Sequence, residues 1–130
     1  MTFELQILVW TVLVLFATLM VQGALTPLNQ GFAWGLGARD EPRELSVLQG
    51  RLKRAVGNSV EALVMFAPLV IAAAIAGVSN GTTQLGAMLF LASRIAFPVC
   101  YALGTPYLRT LIWTPGTLGI MMTAYALLTA

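Results

Sequence analysis

Six residues in two short stretches hold most of the chemistry this 130-residue chain could perform. Arg51, Arg54, Asn58 and Glu61 follow one another at intervals of three, four and three, and Arg94 and Tyr101 stand seven apart. At ~100° per residue the first four fall within about 80° of one another on a helix, with Lys53 pointing elsewhere. Arg94 and Tyr101 likewise share a helix face. Arg54 and Arg94 together with an amide, a carboxylate and a phenol suit a pocket for a small zwitterionic or anionic ligand. Each residue also has a plainer reading: Arg54 with Glu61 as a structural ion pair, and Asn58 as a hydrogen-bonding link between helices.

Other chemistries are excluded by composition. The chain has no His, so the commonest metal ligand and the commonest general base are both missing. A single cysteine, Cys100, permits neither an internal disulfide nor a cysteine metal cluster, and it reads as a small packing residue. No metal site is expected. A net charge of +2, concentrated in one segment, does not describe a nucleic-acid binder.

The elements that must position these residues are set by where charge is absent. The chain is 58% hydrophobic and 9% charged, against roughly 25% charged in soluble chains. Residues 5–38, 62–93 and 110–130 carry no charge at all. Each gap can hold the ~20 apolar residues that cross a bilayer. The chain therefore reads as an all-α integral membrane protein, one domain over residues 1–130, with spans at about 5–25, 45–76, 82–103 and 107–128. Glu4 precedes the first apolar run and no basic region does, which predicts a retained helix rather than a cleaved signal. Asp40-Glu41-Pro42 looks like the opening of the second helix, and Pro115-Gly116 like a kink in the fourth. Short connections make neighbouring spans antiparallel, giving a four-helix bundle.

Arg39, Arg43, Arg51, Lys53, Arg54 and Arg109 all lie near the first and third connections. The positive-inside rule then places those connections in the cytoplasm and both termini outside. Arg54, Glu61 and Arg94 lie within the spans, where a charge facing lipid is costly, so they should face the bundle interior, a cavity or a subunit interface. Counted from the cytoplasmic side, Arg54 and Arg94 should sit at similar depth, with Glu61 about 10 Å deeper.

The stretch from Arg51 to Glu61 reads RxxRAxxNxxE, and it resembles the signature of the MAPEG family, the membrane-associated proteins in eicosanoid and glutathione metabolism. Arg94 with Tyr101 seven later, and a basic residue opening the fourth helix (Arg109), are similar to the family as well. The resemblance covers nearly the whole chain and is nearest to the short, loop-poor bacterial branch, which would place the protein in a bacterial inner membrane. Phe97, Val56 and Ala62 depart from residues found in other members.

What the resemblance implies is a homotrimer of four-helix subunits with glutathione, as co-substrate, in clefts between subunits. Arg51, Arg54, Asn58, Glu61, Arg94 and Tyr101 would hold it, and Arg109 would act catalytically by stabilising the thiolate. The implied activity is a glutathione-dependent transferase or peroxidase acting on a lipophilic electrophile that arrives through the membrane lipids. The alternative is a non-catalytic membrane protein whose polar stripe serves trimer packing or binds a lipid headgroup.

Overall fold

The computed structural model describes the backbone of residues 1–104 and 106–130, and the side chains of all residues outside 105–109. Helix follows helix in the order α1 (Phe3–Gln30), α2 (Phe32–Gly35), α3 (Val47–Ala76), α4 (Gly81–Leu103) and α5 (Pro106–Leu128). Four of them, α1, α3, α4 and the Thr110–Leu128 part of α5, are long and apolar enough to cross a membrane. In a bilayer core a chain must satisfy its backbone polar groups internally, which helices do. The protein is an all-helical integral membrane protein.

Capping decides where the helices begin. Thr2 accepts a hydrogen bond from the Leu5 N–H and opens α1. The expected start of the second long helix at Pro42 is not observed. Residues 37–46 stay outside helix, and α3 opens at a capping box in which the Gln49 N–H donates to Ser46 Oγ and the Ser46 N–H donates to Gln49 Oε1. Such a reciprocal pair satisfies two end donors at once, which the Asp40-Glu41-Pro42 segment does not do here. Asn80 caps α4 through the Thr82 and Thr83 N–H groups. α1 continues through Pro27 to Gln30, past the expected end of the first span, and α5 includes Pro115 within its length.

The bundle is pinned at both ends of α1 by polar groups. At one end Gln30 and Gln49 exchange amide hydrogen bonds of 2.9 and 2.7 Å, with Gln49 fully buried. At the other, the buried Glu4 carboxylate accepts from Ser79 Oγ at 3.0 Å and from the Thr83 hydroxyl. Between them the core is formed by Ile7, Ala62, Phe66, Val70, Ala87 and Phe90, with the Phe66 and Phe90 rings stacked at 3.9 Å.

Helices α4 and α5 approach closely along a seam of small residues, as expected where lipid removes the hydrophobic drive and packing must hold helices together. A Cβ on Gly119 would lie 2.3 Å from the Gly86 carbonyl oxygen, and one on Gly116 would lie 2.7 Å from Ser93 Oγ. That seam fixes α5 against the part of α4 that carries Arg94.

Candidate functional site

Arg94 is the centre of the site. It lies in mid-helix on α4, is 2% exposed, and faces the bundle interior. Its Nη1 donates to Asn58 Oδ1 of α3 at 2.8 Å, and its Nη2 donates to Ser93 Oγ at 3.3 Å. The guanidinium also lies over Phe97, 4.9 Å from the ring centroid, and 5.8 Å from that of Phe90. Aromatic faces attract a cation electrostatically, more strongly where water is absent. Ser93 Oγ in turn donates to the Ile112 carbonyl of α5 at 2.7 Å. One buried guanidinium thus links three helices, and its Nε is left without a hydrogen-bond partner.

Toward the Gly104 end, Asn58, Phe97, Tyr101, Thr110 and Trp113 line a cavity of about 310 Å³. Phe97 and Tyr101 pack ring against ring at 5.4 Å, and the Arg54 guanidinium lies 5.7 Å from the centroid of the Tyr101 ring. Arg51 reaches the end of α4, where Nη1 donates to the Ala102 carbonyl at 3.3 Å. Its guanidinium occupies the space beside Gly104, whose φ of +72° and lack of a Cβ both accommodate the turn.

The expected stripe therefore divides in two. Asn58, Arg94 and Tyr101 come together within the chain, with Arg51 and Arg54 at the rim. Glu61 is exposed on α3, and Arg54 is exposed on the same helix two turns earlier. Among the described residues neither forms an ion pair. The expected match in depth between Arg54 and Arg94 is also displaced: Arg94 meets Asn58, one helical turn deeper than Arg54. The displacement follows from α3 opening at Val47 rather than Pro42, which moves the water-facing end of the helix along the chain. The Arg109 side chain lies outside the described residues.

Three contributors were not apparent from the sequence. Ser93 looks like any small residue until its hydroxyl is seen between Arg94 and α5. Thr110 and Trp113 line the cavity because Gly116 and Gly119 let α5 approach, a consequence of long-range packing rather than of local spacing.

The profile of the MAPEG family matches residues 7–129, and the chain belongs to that family. Among curated proteins and among solved structures no match to the chain was found.

Proposed function

We propose that the chain is a subunit of a homotrimeric membrane enzyme that binds glutathione and either joins its intact thiolate to a lipophilic electrophile or uses it as a thiol reductant for one. One observation carries this reading: Arg54 and Glu61 stand exposed on α3, and the Arg54 guanidinium lies 5.7 Å from the ring of Tyr101, which with Asn58 lines the cavity. A charge at membrane depth that faces lipid costs about 2.5–3.5 kcal/mol on insertion scales. A second copy over this face removes that cost and turns a half-open cavity into a closed cleft. The residues available then match the ligand. Arg51, Arg54 and Arg94 supply cations for two carboxylates, Asn58 an amide, and Glu61 the anion that an ammonium requires.

The chain's own groups would act by binding and orienting the two reactants and by favouring the thiolate. Arg109, carried at the start of α5, is assigned to the sulfur on the family resemblance: a cation near a thiol favours its anion. Glutathione supplies the nucleophile as co-substrate. The family membership supports a glutathione-related role, and positively charged residues around the first and third connections support a cytoplasmic opening.

A second reading has an observation of its own. Asn58, Ser93 and Arg94 form a network that already joins α3, α4 and α5 without any ligand, which is what interhelical glue would do. A thermal-shift titration separates the two. A ligand that binds the folded state alone raises the melting temperature by mass action, so glutathione or an S-alkyl glutathione should raise it. No shift at millimolar ligand, alongside a responding glutathione transferase, would favour the structural reading.

A further inference from the structure

The hydrogen bonds that run from the polar cavity end on the backbone of α5, and chemistry fixes their direction. The Arg94 guanidinium only donates, and the Ile112 carbonyl only accepts. Ser93 Oγ lies 3.3 Å from Arg94 Nη2 and 2.7 Å from the Ile112 oxygen. Its single proton must therefore go to Ile112, which leaves its lone pairs to Arg94. At the other end Asn58 Oδ1 accepts from Arg94 Nη1 at 2.8 Å. The run through Asn58, Arg94, Ser93 and Ile112 thus has one order, from a wall of the cavity to the main chain of α5, and Ser93 is buried.

The place where the run ends is a weak turn. Pro115 has no N–H, so the Leu111 carbonyl loses its usual helical donor. The carbonyls of Thr110 and Trp113 take hydroxyls from α5 itself, from Thr114 at 3.1 Å and Thr117 at 3.4 Å. Ile112 takes the Ser93 hydroxyl from another helix, at the shortest of the three distances. Gly116 makes room for it, since a Cβ there would lie 2.7 Å from Ser93 Oγ. Ile112 stands between Thr110 and Trp113, which both line the cavity, and three residues after Arg109.

We propose that Ser93 is a positioning residue for the sulfur chemistry: through Ile112 it holds the first half of α5, with Thr110, Trp113 and the backbone of Arg109, at a set distance from Arg94. This role rests on the proposed function, in which Arg94 grips glutathione from α4 and Arg109 meets its sulfur from α5. The tie between the two helices then sets the reach between the two cations. A misplacement of about 1 Å can cost a reaction ~10²-fold, and the attraction of a cation for a thiolate falls with distance. Ser93 acts on the ligand only through Arg94 and α5.

The test is made on the full chain in detergent with Ser93→Ala, which removes the hydroxyl and keeps the packing. Without glutathione, amide exchange over residues 110–114 should quicken about fivefold, as for the loss of one hydrogen bond. With saturating glutathione, thiolate absorbance against pH should show a thiolate fraction about threefold smaller below the midpoint, part of the loss expected on removing Arg109 itself. Calorimetry should give an affinity within about twofold of the parent's. Ser93→Thr keeps the hydroxyl and should restore both exchange and ionisation. If Ser93→Ala does not fold, Ser93→Cys keeps the size with a weaker donor and should shift both readouts the same way.

A folded variant with parental exchange, or one whose bound glutathione titrates as in the parent, would overturn the proposal. So would a loss of affinity with unchanged ionisation, which is what a merely structural support of Arg94 would give. A parent protein that forms no thiolate would refute the proposed function and this role with it. The exchange measurement needs no glutathione, so it tells that failure from a failure of the tie.

Discussion

Arg94 and Asn58, thirty-six positions apart in the chain, meet through a 2.8 Å hydrogen bond between a guanidinium nitrogen and an amide oxygen. The bond ties α4 to α3 at the point where the polar cavity begins. It also settles the amide orientation, since a guanidinium only donates and must find the oxygen. Around it the site is arranged by size as much as by charge: Ser93 and Gly116 let α5 come close, and α5 brings Thr110 and Trp113 to the cavity wall.

Asn58→Ala should destabilise the protein by about 1–3 kcal/mol, because it leaves a buried cation short of an acceptor. Asn58→Asp should retain most of the stability, since a carboxylate oxygen can take the same bond. Equilibrium unfolding in mixed micelles reads the difference. An Asn58→Ala protein as stable as the parent would mean that the bond holds nothing together.

The α4–α5 seam gives a sharper test of packing. Gly116→Ala places a Cβ 2.7 Å from Ser93 Oγ, and the overpacking should cost about 1–3 kcal/mol. Ser93→Gly removes the obstructing atoms, so the double variant should recover part of the loss in a double-mutant cycle. Additive losses would show that the two residues do not share the space.

How far the sequence reveals this arrangement depends on the range of the interaction. Arg51, Arg54, Asn58 and Glu61 are legible as one stripe because a regular helix fixes their angles whatever surrounds it. The four spans are legible because a bilayer demands long uncharged runs. The start of α3 is less so: Asp40-Glu41-Pro42 looks like the opening, yet the helix begins after Ser46, where the end groups of Ser46 and Gln49 satisfy each other. Glu4 shows the limit. In the sequence it only precedes an apolar run, yet it is buried against Ser79 and Thr83, partners that only the folded chain brings near.

Glu61→Gln should weaken glutathione more than it weakens a des-amino analogue. Glu61 is the one carboxylate on the stripe, and the structure leaves it exposed on α3 and unpaired among the described residues. Its loss should therefore act on the ligand ammonium with little effect on the fold of one subunit. Calorimetric titration with both ligands measures this. Equal losses would make Glu61 a partner of the protein rather than of the ligand.

Arg109→Ala should spare glutathione binding and reduce its ionisation. A change of one pKa unit corresponds to about 1.4 kcal/mol of differential interaction. Losing a cation of that effect should lower the thiolate fraction roughly tenfold at neutral pH. The thiolate absorbance of bound glutathione against pH, in parent and variant, reports it. An unchanged titration would leave Arg109 as a membrane-surface anchor.

The central claim is that the site is completed between copies of the chain and filled by glutathione. Native mass spectrometry of the detergent-purified protein, with and without glutathione, reads both parts together. The account predicts an assembly of three 13.9 kDa chains that gains the mass of glutathione in a saturable manner. A monomer, or a trimer that gains no glutathione at millimolar concentration, would contradict it.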